Sequence, residues 1–533
     1  MAYTEFIFIV FLLGMFVPYF LVPKKYQWIV LLAASYLFYL SYGFQLAGYI
    51  LFTTLTVYAT ARWLAHVSQQ IKAQLAAGKE TLSREDKNAL RARGKHKKRK
   101  ILLLGLLANF GVLVFVKYSN FIIGNLNSLI GLTGTGFRLA HMDILIPIGI
   151  SFYTLQSLGY LIDVYRDKYA PCTNVAKFAL FLSFFPQIIQ GPISRYDQLA
   201  PQLYAKHRFD YQQFKAGVGR ILWGFFKKMV IADRAAILVS YAVANAQALV
   251  GFQAAFSVLV FMAQVYADFS GGMDISLGIA QCCGITMVEN FRRPHFAQSI
   301  SEYWRRWHIT LGSWMKDYLL YPLSLSKAFA KLGKKTRKWF GTYLGKQIPT
   351  CIAMGVVFMA VGIWHGAAWK YIAFGLYNGG LIIMGILLSP LLEKWNDRYH
   401  LVNTQTGSWK LLRILFTFFL VFIGKYFAMP WGAGQALRML GATFSSFNPW
   451  VLFDGTLCQM GLSYPDLVIL GLALFVFFIV SLFQERGYHL REVLARQNLV
   501  FRWIIYLIAV YSIIIFGVYG FGFAGADFIY QGF

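Results

Sequence analysis

Twelve apolar runs organise this sequence, at about 5–22, 26–43, 45–65, 101–118, 144–165, 215–245, 251–268, 350–369, 370–391, 411–429, 466–483 and 501–519. A helix needs about 20 apolar residues to cross the hydrocarbon core of a bilayer. Inside that core every backbone N–H and C=O must find its partner within the chain. The runs therefore predict an all-α, polytopic membrane protein with about 11–12 transmembrane helices. Two further stretches, 176–192 and 286–325, are apolar and aromatic but broken by polar residues. Such segments suit re-entrant or interfacial helices, since irregular backbone at membrane depth must be buried in protein or line a cavity. Charged residues make up 14% of the chain, against about 25% for soluble domains. That excludes an ordinary cytosolic enzyme and a disordered chain.

The net charge of +28 is unevenly placed. Alternate connections carry Lys24-Lys25, the run Arg91–Lys100, Arg166-Asp167-Lys168, the 195–215 loop, the 284–346 region, Glu393–Arg398 and Glu485–Arg496. The opposite set, including 119–143 and 430–465, holds little beyond Arg138, Lys370 and Arg438. By the positive-inside rule the basic loops face the cytoplasm, and twelve spans put both termini outside. The first run has no basic flank before it and no small-residue cleavage site, so it reads as a retained span of a cytoplasmic-membrane protein. A decapeptide as basic as Arg91–Lys100 also occurs in nucleic-acid patches. Here it directly precedes a span, where anionic lipid head groups are its simpler partner, and no nucleic acid is expected.

Soluble cofactor motifs are missing: there is no GxGxxG, Walker loop, HExxH or GxSxG, and no metal-ligand spacing. The five cysteines are scattered without a CxxC pair, and the Cys282-Cys283 doublet sits in apolar surroundings where packing is the expected role. Chemistry must therefore be sought among polar groups inside apolar segments, which are expensive to keep there.

Two histidines stand out. In QIPTCIAMGVVFMAVGIWHGAAW (347–369) no Asp, Glu, Lys or Arg occurs, and His365 follows Trp364 and precedes Gly366-Ala367-Ala368. Burial favours the neutral ring that a general base requires, but a core histidine bonded to a neighbouring helix fits equally. His308 lies in SEYWRRWHITLGSWMKDYLLYP (301–322). As one helix this segment would align Trp304, Trp307, His308 and Leu311 on a single face, with Arg305 largely elsewhere and Arg306 four residues from Glu302. Such a helix is also what a simple interfacial anchor looks like. Other polar insertions are Gln187 and Gln190 in FFPQIIQGPISRY, and Asp268 and Asp274 in YADFSGGMDIS, where Gly271-Gly272 suggests helix termination and a turn. Arg292 and Arg293 can face phosphate or merely the interface.

Taken together, FFPQIIQGPISRY, YADFSGGMDISLGIA, NFRRPHFAQSISEYWRRWHITLGSWMKDYLLYPL and GIWHGAAW resemble the membrane-bound O-acyltransferase family in order and spacing. The length beyond the WHG motif is similar to the bacterial alginate O-acetyltransferase branch. Two local departures are Gly272-Met273, where relatives commonly carry Tyr-Ser, and Tyr321–Lys327 in place of a Pro-Leu-Gly-Gly-rich turn. The resemblance implies N-terminal helices over 1–110, a catalytic core over 111–400 and added helices over 401–533. It also implies a central tunnel or funnel, with His365 as presumed catalytic base and His308 as its partner. Trp304, Trp307, Trp364, Gln187, Gln190, Asp268, Arg305 and Arg306 are its expected substrate-facing residues.

The implied reaction takes an acyl group, acetyl first of all, from a cytoplasmic thioester such as acetyl-CoA or a carrier-bound acyl group. It passes the group to an extracytoplasmic partner that modifies a polysaccharide. No permanently bound cofactor is expected. Within the family the alternative is a D-alanyl transferase for teichoic acid, whose acidic carrier the basic 331–346 stretch would dock. Outside it, a secondary transporter or flippase fits the span count, with Asp268 and Asp274 as a proton relay.

Overall fold

The computed structural model describes residues 1–429, 431–519 and 528; the last residues of the expected third part, 401–533, otherwise lie outside that range. Among the described residues every regular element is helical. Eight helices are long and apolar enough to cross a membrane: Phe44–Ala77, Arg84–Gly131, Gly251–Cys282, Lys327–His365, Trp369–Tyr399, Gly407–Tyr426, Tyr464–Glu485 and Leu499–Phe516. The chain is an all-α polytopic membrane protein.

The other four expected runs form shorter or interrupted helices, for local reasons. Phe6–Leu21 and Gln27–Leu40 flank Pro23. The run beginning near 144 becomes helical only at Ile150, after Pro147 and a left-handed Gly149 (φ 70°). The run 215–245 is divided by a π-helical turn, Phe226–Ala232, between Tyr211–Phe225 and Asp233–Ala244. Both polar-broken segments fold as short pieces: Val175–Ser183 and Phe185–Ile188 in the first, Ile300–Arg306, Ile309–Met315 and the π turn Lys316–Leu320 in the second.

The chain forms two compact units. The first comprises Met1–Lys215 and Ile279–Met287. Its central helix, Ile150–Tyr165, is buried on nearly every side, its polar Ser151, Thr154, Gln156, Ser157 and Asp163 included. Gly105 sits so close to Thr60 that a Cβ there would meet its methyl at 2.7 Å. The basic run Arg91–Lys100 belongs to the 48-residue helix Arg84–Gly131, opened by a Ser83–Asp86 capping box. At 1.5 Å per residue that helix is about 70 Å long, so its basic half extends beyond any hydrocarbon core. Lys98 pairs with Asp167 at 2.8 Å.

The second unit comprises Ala216–Gly278 and Val288–Phe533. Here the expected helix end at Gly271-Gly272 does not occur: Gly251–Cys282 runs straight through it. The glycines serve close packing instead. A Cβ on Gly271 would lie 2.9 Å from Gly224 O, and one on Gly278 would lie 2.7 Å from Gly217 O. Two glycine pairs spaced seven residues apart thus bring two backbones together, the usual small-residue device in membranes.

Candidate active site

Two chain breaks in the second unit build the site. The first corrects the single helix expected over 301–311. Ile300–Arg306 stops, Trp307 is extended (φ −102°, ψ 128°), and His308 takes a left-handed conformation (φ 47°, ψ 52°) before Ile309–Met315 begins. The cause is Asn290. Its carbonyl accepts from Ile309 N at 3.0 Å, and its Oδ1 accepts from Thr310 N at 3.0 Å and Thr310 Oγ1 at 2.9 Å. Arg292 N also donates to Arg306 O at 2.9 Å. These bonds from the 290–292 loop replace the helical ladder. A left-handed non-glycine residue costs on the order of 1–3 kcal/mol and is kept where surrounding structure over-determines it.

The second break follows His365, the last residue of a helix already kinked at Gly341 (φ 72°). The chain turns through Gly366–Ala368 and returns as Trp369–Tyr399. A Cβ on Gly362 would meet Tyr371 O at 2.4 Å, and one on Gly375 would meet Phe358 O at 2.6 Å. The two arms therefore touch backbone to backbone, and that contact sets where His365 points.

The result is a row of rings. Phe269 meets His308 edge-on at 4.9 Å between centroids, His308 meets Trp364 at 5.7 Å, and Trp364 meets His365 at 5.2 Å. Phe374 and Tyr371 close the far side of His365 at 5.8 and 6.3 Å. His308 is 1% exposed and His365 5%. Burial, with a smaller contribution from His365, holds the His308 imidazole well below the ordinary histidine range, so it is neutral at pH 7. His365 borders a cavity of about 50 Å³ whose walls include Trp304, Trp307, Tyr371, Asn378 and Lys425. Trp304 Nε1 donates to Asn378 Oδ1 at 3.3 Å.

Other expected residues find different partners. Arg306 pairs with Glu302 at 2.6 Å, as the four-residue spacing anticipates, and also with Glu485 at 2.8 Å. Arg305 is exposed. Asp268 pairs with Lys228 at 2.8 Å, and Lys228 is equally close to Asp233. Asp274 is held by Arg220 and Lys227 at 2.7 and 2.6 Å. Gln187 and Gln190 are buried in the first unit, where Gln187 Nε2 donates to Gln156 Oε1 and Phe181 O. Sequence reasoning missed Asn290 and Lys425. The second had a signal, being a charge deep in the apolar run 411–429, whose other charge, Arg413, lies near its start.

Comparison with known proteins places the sequence in a family. The model of MBOAT, the membrane-bound O-acyltransferase family, matches residues 172–428. A probable alginate O-acetylase AlgI of Azotobacter vinelandii is 32% identical over 463 residues, 86% of this chain and 81% of the relative. The chain belongs to the membrane-bound O-acyltransferase family. It is a multi-pass membrane O-acyltransferase. Similar too are a peptidoglycan O-acetyltransferase of Helicobacter pylori, 32% identical over 64% of either chain, and a teichoic acid D-alanyltransferase of Bacillus subtilis, 26% identical over 52% of this chain and 67% of the relative. The family match spans both chain breaks, the Trp364 ring row and the cavity beside His365.

Proposed function

We propose that this O-acyltransferase moves an acetyl group from a cytoplasmic thioester towards a polysaccharide hydroxyl outside the cytoplasmic membrane, through a partner protein. The observation that carries the reading is the buried His308–Trp364–His365 row, with His365 bordering a cavity of about 50 Å³. His365, which borders that cavity, acts as general base on the attacking hydroxyl. His308 positions the thioester. General acid–base assistance supplies ~10²–10⁴-fold, and exclusion of water protects the thioester from hydrolysis. Trp304 and Trp307 form the apolar wall along which the acyl group passes.

The donor, acetyl-CoA or a carrier-bound acyl group, enters from the basic face. A polar cavity of about 660 Å³, bordered by Arg220, Lys227, Arg292, Arg293 and Arg491, reaches Asn290, the residue bonded to the His308 segment. Asp274, Glu289 and Glu492 border it too, and Arg220, Lys227 and Arg293 are held in ion pairs, so Arg292 and Arg491 are the cations that suit diphosphate chemistry. Relatives named for alginate and for peptidoglycan support a polysaccharide acceptor. A second reading, D-alanyl transfer from an acidic carrier, is favoured by the exposed side chains of Lys331, Lys334, Lys335, Arg337 and Lys338 and by the teichoic acid D-alanyltransferase relative.

The test is transfer from radiolabelled acetyl-CoA in reconstituted protein with its envelope partner. Loss of transfer in His365→Ala with an unchanged thermal melt supports the reading. Unchanged transfer in that variant overturns the assigned base, and activity only with a carrier-bound D-alanyl donor selects the second reading.

A further inference from the structure

Lys425 lies one residue before the end of the helix Gly407–Tyr426 and is 5% exposed. Its Nζ sits 4.6 Å from the centre of the Trp307 ring. Among the described residues no carboxylate lies within ion-pair distance of it, in a chain where other buried cations have one: Lys227 has Asp274 and Lys228 has Asp233 and Asp268. Among the described residues lining the 50 Å³ cavity beside His365, Lys425 carries the one formal charge.

A buried, unpaired cation is destabilising, so a fold that keeps one has a use for an anion there. The cavity's size narrows the choice. About 50 Å³ has room for a few small groups, which admits the reacting atoms of an acetyl group. His365 and Lys425 both line it.

Resting on the reading of His365 as base, we infer that the Lys425 ammonium is a catalytic group that binds the oxyanion formed on the thioester carbonyl. The hydroxyl oxygen bonds to the carbonyl carbon while its proton passes to His365. The C=O electron pair moves onto oxygen, and the resulting charge pairs with Lys425. Collapse restores C=O and breaks the C–S bond, and the departing thiolate takes the proton from the imidazolium. A preorganised donor aimed at developing charge in a water-poor site typically contributes ~10²–10³ in kcat.

The experiment compares wild type, Lys425→Met, Lys425→Arg and His365→Ala in proteoliposomes with the partner, using acetyl-CoA and following thiol release together with thermal melting. Lys425→Met is expected to lower kcat about 10²–10³-fold with KM for acetyl-CoA nearly unchanged, and to melt no lower than wild type, since an uncompensated charge has been removed. Lys425→Arg is expected to retain much of the rate. A Lys425→Met variant that unfolds, raises only KM, or keeps wild-type kcat overturns the inference. Wild-type kcat in His365→Ala instead overturns the reading on which it rests.

Discussion

His308 Nδ1 lies 3.3 Å from Asn290 Oδ1. Because that oxygen also accepts from the backbone N–H and hydroxyl of Thr310, it has no proton to give, and Nδ1 is the donor. The neutral ring therefore carries its lone pair on Nε2. One amide thus sets the tautomer of His308 and ends the helix before it.

Asn290→Ala removes that acceptor and leaves buried donors without it. A loss of about 1–3 kcal/mol in stability is expected, together with a fall in acyl transfer of more than tenfold. Thermal melting and initial rates on one preparation check both, and a variant with normal transfer would show that His308 needs no orientation by Asn290.

His365→Gln keeps a polar side chain of similar reach but no basic nitrogen. Transfer is expected to drop ~10²–10⁴-fold while melting stays within a degree or two of wild type. Parallel loss of rate and stability would instead assign His365 to packing.

The Lys228 cluster separates scaffold from site. Lys228, Asp233 and Asp268 are each at most 5% exposed, so Lys228→Met strands buried carboxylates at a cost of about 3–5 kcal/mol. The protein is expected to accumulate poorly in membranes. Neutralising all three, with Lys228→Met, Asp233→Asn and Asp268→Asn together, is expected to restore most of the yield and a measurable transfer rate. A folded but inactive triple variant would return Asp268 to the substrate path.

Gly362→Val tests the tight turn that carries His365. With even a Cβ 2.4 Å from Tyr371 O, the two arms must separate, and overpacking of this kind costs about 1–3 kcal/mol. A lower melting temperature and loss of transfer are expected, although position 362 lies three residues from His365. A valine variant with wild-type melting would mean the arms have room to part.

The residues alone settled the class of protein and its family. Runs of about 20 apolar residues dictate spanning helices because the bilayer constrains each segment locally. WRRWH and WHG are local words whose histidines can be named before any fold is known. Tertiary structure decided where those residues sit and what holds them. The sequence alone does not tell that Asp268 meets Lys228, forty positions away. Gly271-Gly272 reads as a helix end until Gly224 is found against it. The break at Trp307–His308 depends on Asn290, eighteen residues upstream of His308, and Lys425 meets Trp307 across more than a hundred positions. Hydropathy and periodicity report what a segment does with its solvent. Ion pairs, glycine contacts and the exit from a helix depend on which distant segment arrives, and only packing determines that.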